Sequence, residues 1–531
     1  MRLKIVFTFA FMYIMPWFLL AQSSTYYLRD YGATGKKNQL VTNMIQLAID
    51  DCHQDGGGRI YFTPGDYLSG TLVLKSNVEL YLEAGATLYA SQNAEDYEVD
   101  FDIYKGNNPD TDVLIYANEA KNIAIKGRGT IHGQARREYR QAESVDSFIA
   151  EETANARKAG VEMKRFYKIA PIVNLIYLVD SEDIKISQVT IKESVGWTMH
   201  LQWCDRVVVE NCFIYSDLES GVNADGIDVD GSKNVMISNC RIETGDDAIV
   251  LKTTLTNNRS ERCENVTVTN CVLTSTSSAL KLGTESHSDF RHITFNNCVI
   301  RNSNRGLSIV IRDGATAENV LFSNITMECN RKHFNWWGDG DPIWLVVRKR
   351  NEDSQIGKIK NVVFDNIIAK GQGTSKIEGF PGVKAIENIT ISNLKLYMQP
   401  EDKPDKRATH ALTASDMKKL ILENVEVNWD TENPEPAWSD ALYLQDTEEA
   451  TVDGLRGISG NQSPEAQLIS LHNVLSAKIM NCELSKPQQH LIKVSGSQTD
   501  KIILLQNNLF NRANNLILQD MGVPEGAVQV K

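Results

Sequence analysis

Three aspartates near the middle of the chain have a spacing that could bring their carboxyl groups together. The segments Asn223–Asp230 and Gly245–Lys252 align without a gap. The alignment places Asp225 and Asp247 at the same position, with Asp246 beside them. If the segments stack as neighbouring strands, like charges this close cannot all ionise, and at least one pKa rises. A protonated acid beside a carboxylate base suits glycosidic hydrolysis with inversion.

The aspartate cluster also allows a purely structural role and a cation-binding role. Asp and Asn commonly form β-turns at glycine-rich corners without taking part in any reaction. Clustered carboxylates also suit a bound Ca²⁺ ion. Three neighbouring aspartates, two of them consecutive, favour the catalytic role.

The alignment extends to two further segments, Thr276–Gly283 and Ser303–Val310. In each of the four segments an apolar pair, such as Ile227 and Val229, flanks a residue that points the other way. The apolar pairs are predicted to face a core. The opposite, outward side is predicted to collect four charged side chains: Asp228, Asp230, Lys252 and Lys281.

These segments belong to a repeat of about 27 residues. A β-branched strand ending in Asn returns ten times, at Asn211, Asn239, Asn270, Asn297, Asn324, Asn366, Asn393, Asn424, Asn481 and Asn507. The intervals cluster near one period if 57 residues count as two turns and 42 as one turn with an insertion. Short strands at a fixed period, with almost no amphipathic helix between them, predict an all-β solenoid, a parallel β-helix.

Stacked coils turn each position of the repeat into a column of like residues about 4.8 Å apart. We interpret the Asn column as a ladder of turn-forming amides. Cysteines follow it, and we interpret them as a stack of small buried thiols: Cys212, Cys240, Cys271 and Cys298. Because the chain has nine cysteines and no CxxC spacing, we do not expect a disulfide framework.

Three segments interrupt the repeat. Residues 132–170 are charged and helix-prone, residues 331–345 include WWGDGDPIW, and residues 400–410 read PEDKPDKRATH. Loops that leave one side of a solenoid usually form walls of its binding groove. For Trp336 and Trp337, stacking on a sugar and simple packing within the loop fit the sequence equally well.

The N-terminus has the order of a secretory signal peptide. Arg2 and Lys4 precede an apolar stretch that ends in small residues near Ala21. We predict a signal peptide over residues 1–21, export to the periplasm or the extracellular space, and one β-helix domain over residues 22–531. Residues 22–90 would form its cap and first coils. An uncleaved membrane anchor is the alternative, and no other apolar run approaches a membrane span.

The net charge restricts the partners of the chain. A formal charge of −13 would repel nucleic acid and other general polyanions. An anionic sugar polymer would therefore need a local basic patch. We expect a monomer.

The motifs resemble glycoside hydrolase family 28, the polygalacturonase and rhamnogalacturonase group of right-handed parallel β-helices. The resemblance covers most of the chain. Residues 28–88 look like the family's N-terminal cap and first coils. Asn223 and Asp225 match its Asn-x-Asp motif, and Asp246 and Asp247 lie in a segment similar to its Gly-Asp-Asp motif.

Carried over residue by residue, the resemblance implies a role for each of these positions. Asp246 would be the general acid that protonates the leaving oxygen, and Asp225 with Asp247 would activate water. Asn223 would position its neighbours. The resemblance also implies an acidic, pectin-like polysaccharide as the substrate, and neither a metal nor an organic cofactor.

Two departures from the family pattern remove basic residues. Ser277 occupies the histidine position of the Gly-His-Gly segment, and Ser308-Ile309-Val310 replaces Arg-Ile-Lys. Lys281, Arg312 and His287 are candidate replacements, the alternative being ordinary solvated cations. Without replacement, the site would suit rhamnose or another sugar, or the chain would be inactive. The full predicted binding set is Asn223, Lys252, Ser277, Lys281, Glu285, His287, Arg305, Ser308, Arg312, Trp336 and Trp337.

Three functions are compatible with the sequence. The first is an inverting hydrolase of galacturonan or rhamnogalacturonan, and the aspartate triplet and the long resemblance favour it. The second is a β-helix lyase or epimerase, which would use a basic residue to remove a proton beside a uronate carboxylate. The third is a non-catalytic carbohydrate-binding solenoid. The insertions at 132–170 and 331–345 favour exo action, because they could close one end of a groove.

Overall fold

The computed structural model describes most of the chain in ten segments. They are residues 24–97, 111–135, 140–141, 153–154, 156–161, 167–168, 172–332, 338–461, 466–505 and 513–531. The predicted signal peptide, the pair Trp336 and Trp337, and the ladder residue Asn507 lie outside the described residues.

In the described part of the chain, 41 strands form one sheet that winds through successive coils, with parallel pairing throughout. Each strand pairs with the equivalent strand of the coil before and the coil after, so the sheet has three faces, named here face 1, face 2 and face 3. The predicted parallel β-helix is confirmed.

The bounds of the strands follow this three-faced arrangement. Face 1 contains Ser24–Tyr27, Gly58–Phe62, Val78–Leu82, Lys121–Gly127, Glu182–Ser187, Asp205–Glu210, Lys233–Ser238, Cys263–Thr269, Phe290–Asn296, Ser476–Met480, Ile502–Leu505 and Val528–Val530. Face 2 contains Gly65–Ser69, Ala86–Ala90, Thr130–His132, Thr190–Lys192, Phe213–Tyr215, Arg241–Thr244, Val272–Ser275, Val299–Ser303, Glu426–Trp429, Arg456–Gly457 and Glu483–Leu484. Face 3 contains Leu72–Val73, Thr111–Asn118, Ile172–Val179, Met199–Gln202, Ile227–Asp230, Ile249–Thr253, Ser278–Ser286, Arg305–Ile311, Ile343–Val347, Ser375–Glu378, Gln467–His472, Gln488–Ser495 and Ala513–Gln519.

Five longer strands bend around a corner and join two faces. Three of them run from face 1 to face 2: Thr316–Cys329, Lys358–Gly371 and Ile386–Met398. Two run from face 3 to face 1: Leu412–Glu423 and Leu442–Asp453.

Three helices lie near the N-terminal end, and the insertion at residues 132–170 also has helical residues at 153–154 and 156–158. The α-helix Thr42–Gln54 buries Ile45, Ile49 and Cys52 in the same core as the first coils, and the 3-10 helices are Leu28–Tyr31 and Ala94–Tyr97. A helix in this position keeps the first strands of a solenoid from presenting an open edge. No helix among the described residues is long and apolar enough to cross a membrane.

The register of face 3 matches the gap-free alignment of the sequence. Ile227 pairs with Ile249, Ile249 with Leu280, and Leu280 with Leu307. All four side chains are buried in the core. Equivalent side chains also stack in another part of the core. The ring centroids of Phe295 and Phe322 are 4.9 Å apart, and those of Phe322 and Phe364 are 5.0 Å apart.

The Asn column lies at the corner between face 1 and face 2. Nine of its ten members are described, and all nine have the left-handed backbone that Asn tolerates better than most residues. Asn393 Nδ2 donates to Asp365 Oδ1, and Asn424 Nδ2 donates to Asn393 Oδ1, both at 2.8 Å. The amide ladder is confirmed at this corner. The 42-residue interval is one coil with an insertion, because Asn366 Nδ2 still donates to Asn324 Oδ1 at 2.7 Å.

A second ladder was not predicted. It lies where each face 1 strand begins, and its members also have positive φ: Asn77, Asn122, Asn234, Asn265, Asn319, Asn361 and Asn388. Asn265 donates to Asn234, and Asn388 to Asn361. The signal in the sequence is an Asn directly before the apolar strand residue, as in KNVMIS and ENITIS.

All nine cysteines are buried and free, including the four that the sequence predicted as a stack of buried thiols. In the stacked group each thiol donates to the carbonyl oxygen two residues earlier, from Cys212 to Glu210 at 3.4 Å and from Cys240 to Ser238 at 3.3 Å. Cys271 and Cys298 repeat this contact at 3.3 Å. The column therefore fills the core with small polarizable side chains.

Two predicted insertions are described in part. Within residues 132–170, Arg140–Gln141 pairs antiparallel with Tyr167–Lys168, apart from the main sheet. The segment therefore leaves the coil there. The insertion at 331–345 returns to face 3 at Ile343–Val347, which pairs with Arg305–Ile311.

Replacing Asn393 separates the two contributions of a ladder residue. Asn393→Ala should lower the free energy of unfolding by roughly 1–3 kcal/mol, because alanine loses the amide bonds and disfavours a φ of +53°. Asn393→Gly should cost less, since glycine keeps the backbone conformation and loses only the ladder. Differential scanning calorimetry at one scan rate measures both. Equal losses for the two variants would show that backbone strain plays no part.

Candidate active site

The three aspartates lie at the entrance of two neighbouring face 3 strands. Asp225 precedes Ile227–Asp230, and Asp246 and Asp247 precede Ile249–Thr253. Gly226 N donates to Asp247 O at 2.9 Å, which holds the two segments side by side. The exposed fractions of Asp225, Asp246 and Asp247 are only 2%, 7% and 2%. The structure thus brings together the three carboxyl groups that the alignment predicted.

Asp247 is surrounded by donors from the next coil. Its Oδ1 accepts from Ser277 Oγ at 2.8 Å and from Ser278 N at 3.0 Å. Its Oδ2 accepts from Lys281 Nζ at 2.6 Å. Ser277 and Lys281, both predicted to contact substrate, therefore orient Asp247 and partly neutralise it.

Asp246 is fixed mainly through its backbone. Thr244 Oγ1 and Ser275 Oγ both donate to its carbonyl oxygen, at 2.8 and 2.7 Å. Its Oδ1 accepts from Asp247 N at 2.9 Å, and its Oδ2 has no hydrogen bond to the residues that the structure describes. One carboxyl oxygen is therefore left for a ligand.

A buried lysine compensates carboxylates of the coil before it and the coil after it. Lys252 Nζ lies 3.3 Å from Asp225 Oδ2, 3.4 Å from Asp228 Oδ1 and 3.5 Å from Glu285 Oε2. The same ammonium group lies 3.9 Å from the ring centroid of Trp197. Three carboxylates and an aromatic face around one cation make Lys252 the electrostatic centre of the site.

Burial and mutual repulsion raise the pKa values of Asp225 and Asp246. Burial raises the pKa of Asp246 well above its usual range, and the charges of Asp225 and Asp247 add to this. Burial also raises the pKa of Asp225, against the attraction of Lys252, to about 6. Both carboxyl groups therefore hold their protons to a higher pH than an exposed aspartate does.

The pKa of Glu285 is lowered, in contrast to those of Asp225 and Asp246. Burial opposes its ionisation, but Lys252, Arg350 and Lys281 outweigh burial and lower its pKa to about 2. Arg350 lies 3.5 Å from Glu285 and 2.7 Å from Asp313. Glu285 is thus a permanent anion that connects Lys252 to Arg350.

Asp228 and Asp230 are not part of an exposed charged surface, contrary to the prediction. Both point away from the apolar core, but neither has any exposed area, because residues of adjacent coils cover them. Asp230 accepts from His200 Nε2 at 3.0 Å, Gln202 Nε2 at 3.1 Å and Thr254 N at 2.8 Å. Asp230 is therefore a hydrogen-bonding centre beneath the site.

Trp197 and His200 were not predicted from the sequence. His200 occupies the same column as Asp228 one coil earlier, and Tyr177 stacks on it at 4.5 Å. Trp197 contacts His200 edge-on, with centroids 4.8 Å apart. Extending the gap-free alignment by one coil towards the N-terminus would have found His200.

The remaining predicted binding residues occupy different surroundings. Asn223 is exposed and has no side-chain hydrogen bond within the described part of the chain, so it does not hold its neighbours. Arg305 donates from Nε to Asp341 at 3.1 Å and lies 3.7 Å above the ring of Trp344. Ser308 Oγ is buried and has no hydrogen-bond partner among the described residues.

His287 does not reach the position of the missing family histidine. Its Nε2 lies 3.7 Å from Asp313 Oδ2, and Asp313 is also held by Arg350. Ser277, which occupies that position, contacts Asp247 instead.

Arg312 lies beyond Val310, directly after the strand Arg305–Ile311. Among the described residues, no group of three or more His, Cys, Asp or Glu could hold a metal ion.

Comparison with known proteins finds one matching family and several proteins of similar sequence. The model of the family described as Glycosyl hydrolases family 28 matches residues 52–415. An endo-polygalacturonase of Pectobacterium carotovorum subsp. carotovorum is 26% identical over 364 residues, which are 67% of this chain and 84% of that protein. An exo-poly-alpha-D-galacturonosidase of Dickeya chrysanthemi is 28% identical over 249 residues, 42% of this chain. This chain spans only 41% of the Dickeya protein.

The similarity in structure is also extensive. A hyperthermoactive exopolygalacturonase from Thermotoga maritima superposes with a TM-score of 0.60 and 22% sequence identity. The superposition covers 77% of this chain and 92% of that one. At this identity the comparison supports the β-helix fold.

Replacing Asp228 tests whether its buried carboxyl group destabilises the fold at neutral pH. Burial, followed by the charge of Asp225, raises its pKa well above the usual range, and neither oxygen has a hydrogen bond among the described residues. A carboxyl group with a raised folded-state pKa destabilises the fold once the pH exceeds its unfolded-state pKa. Asp228→Asn should therefore stabilise the protein at pH 7, by roughly 1–3 kcal/mol.

The stabilisation should disappear near pH 3, where the carboxyl group is protonated in both the folded and the unfolded state. Thermal unfolding at both pH values measures the difference. A variant that is less stable than the parent at pH 7 would show that the ion pair with Lys252 outweighs the burial of Asp228.

Proposed function

Because the chain belongs to glycosyl hydrolase family 28, we propose that it cleaves glycosidic bonds of pectic polysaccharides, galacturonan or rhamnogalacturonan, by single-displacement inverting hydrolysis. Asp246 acts as the general acid, and Asp225 with Asp247 acts as the base. The family match and the polygalacturonase relatives support a pectin-degrading glycoside hydrolase. We also propose that the protein is exported and acts as a monomer.

The proposed reaction uses one proton on Asp246 and one water molecule. Asp246 donates its proton to the glycosidic oxygen as the bond to the anomeric carbon breaks. Asp225 and Asp247 remove a proton from water as its oxygen forms the new bond from the opposite side. The sugar leaves with inverted configuration and a new reducing end, and no cofactor takes part.

One observation carries this assignment: the pKa of Asp246 is raised by burial and by two neighbouring aspartates, while its Oδ2 has no partner among the described residues. A general acid needs both a retained proton and an accessible oxygen. Asp247, with three donors, and Asp225, beside Lys252, suit the role of base.

The charges of the site favour hydrolysis over the lyase or epimerase alternative. Such enzymes need a basic residue that removes the proton beside a uronate carboxylate. The two lysines nearest the aspartates are both ion-paired, Lys252 with Asp225 and Lys281 with Asp247. Burial opposes the charge of Lys252, but the nearby carboxylates outweigh burial and raise its pKa well above the usual range, so this ammonium group is a poor base.

Asp246→Asn should reduce hydrolysis at least about 100-fold, since the amide cannot supply the proton. Reducing ends and ultraviolet absorbance are followed on polygalacturonan and on the rhamnogalacturonan I backbone. Asp453→Asn is the matched control: Asp453 lies in the Asn column, where Asn481 donates to it at 2.8 Å. Unsaturated, ultraviolet-absorbing products would instead identify a lyase. Full activity in Asp246→Asn would remove Asp246 from the mechanism.

The pH profile of kcat/KM should be bell-shaped. On the acid side activity falls as Asp225 becomes protonated, with a midpoint near its pKa of about 6. On the alkaline side activity falls as Asp246 loses its proton, and its raised pKa places that limb at higher pH. Constant activity from pH 7 down to pH 4 would contradict the assignment of Asp225 as a base.

A further inference from the structure

A group of arginines lies at the far end of two face 3 strands. Arg312 follows Arg305–Ile311, and the period-two alternation places it on the same outward side as Ser308 and Val310. The next coil brings two more arginines, because Arg348 N donates to Ile311 O at 2.9 Å and Arg350 N donates to Arg312 O at 3.0 Å. Three guanidinium groups are therefore neighbours.

Two of these arginines have carboxylate partners. Arg350 donates to both oxygens of Asp313, at 2.7 and 2.8 Å, and approaches Glu285. Arg348 lies 3.4 Å from Glu378, and its side chain remains 56% exposed. Arg350 is thus committed to structural contacts, whereas Arg348 is still open to a ligand.

Arg312 differs from Arg348 and Arg350 in its hydrogen bonds and ion pairs. Its Nε is buried without a hydrogen-bond partner, and no carboxylate forms an ion pair with it within the described part of the chain. Burial, and then repulsion by Arg350, lowers the pKa of Arg312. A buried guanidinium N–H that has no acceptor costs free energy, and proteins seldom keep one that has no use.

We infer that Arg312, with Arg348 beside it, binds a carboxylate group of a uronate unit in the sugar polymer. The inference rests on the proposed function, and it names the residues that recognise an acidic substrate. A planar guanidinium donates two parallel hydrogen bonds to a carboxylate, which matches both the charge and the geometry of a uronate.

Three other cations of face 3 are already paired with carboxylates of the protein. Lys281 lies 2.6 Å from Asp247, Lys252 lies 3.3 Å from Asp225, and Arg305 lies 3.1 Å from Asp341. A substrate carboxylate beside any of them would also meet a protein carboxylate. Arg312 instead forms no ion pair among the described residues, and the two carboxylates that act on it electrostatically, Asp313 and Glu285, are themselves paired with Arg350.

The arginines are connected to the reacting aspartates. Glu285 lies 3.5 Å from Arg350 on one side and 3.5 Å from Lys252 on the other, and Lys252 contacts Asp225. The proposed carboxylate site therefore lies on the same outward side of face 3, on the strand-end side of the aspartates. Ser308 and Val310 leave the floor before Arg312 uncharged.

Binding is tested separately from hydrolysis. Trigalacturonate and its methyl ester are titrated calorimetrically into Asp246→Asn and into Asp246→Asn combined with Arg312→Gln. The free acid should bind about 10- to 100-fold more weakly to the Arg312 variant, because a hydrogen bond between charged groups is lost. The methyl ester, which has no charge to lose, should bind both proteins equally.

Two controls make the result specific. Arg312→Lys keeps the charge and should recover part of the affinity for the free acid. Arg301→Gln removes an arginine on face 2 that lies 3.5 Å from Glu243, and it should have no effect. An equal loss for acid and ester, or no binding of the acid to Asp246→Asn, would overturn the inference.

Failure of the proposed function has a different signature. If the free acid binds through Arg312 but no pectic substrate is cleaved by the parent protein, the carboxylate site stands and the hydrolase proposal fails. If substrates are cleaved and acid binding does not depend on Arg312, the hydrolase proposal stands and the carboxylate site fails.

Discussion

The stacking of coils about 4.8 Å apart is the constraint on which the rest of the structure depends. Every position of the repeat meets the same position of the next coil, so each column must be made of residues that tolerate a like neighbour. Amides satisfy this by donating along the column, as Asn424 does to Asn393. Aromatic rings satisfy it by stacking, as Phe322 does with Phe364.

Carboxylates do not tolerate a like neighbour, and the candidate active site uses that property. Asp225 and Asp247 occupy adjacent coils, with Asp246 next to both, so the geometry that stabilises the fold also creates repulsion. The chain compensates with lysines from the same face: Lys252 contacts Asp225, and Lys281 contacts Asp247. Burial and the repulsion that remains raise the pKa of Asp246, which suits the general acid proposed there.

The stacking of coils also determines what the residues that depart from the family pattern contact. Ser277 donates to Asp247 from the following coil, so a small hydroxyl group at this position orients the carboxylate that we propose as a base. With Ser308 and Val310 uncharged, the nearest outward cation on that strand is Arg312, two residues further along. In the carboxylate site that we infer at Arg312, recognition of an acidic sugar would thus lie further along the strand while the three aspartates stay in place.

The sequence alone determined the coil, its period and its register, because in a solenoid positions one period apart become spatial neighbours. The alignment of Ile227, Ile249, Leu280 and Leu307 predicted their pairing correctly for this reason. It also placed Asp225, Asp246 and Asp247 together. The second amide ladder was readable from its Asn positions as well and was overlooked.

Only the tertiary structure decided which charged groups pair with one another and which are covered. Alternation along a strand shows that Asp228 points away from the core, but not that neighbouring coils bury it completely. It cannot show that Arg350 reaches Asp313 and Glu285 while Arg312 has no ion pair among the described residues, since long side chains choose partners across coils and loops. Those choices depend on three-dimensional distances that no spacing in the sequence encodes.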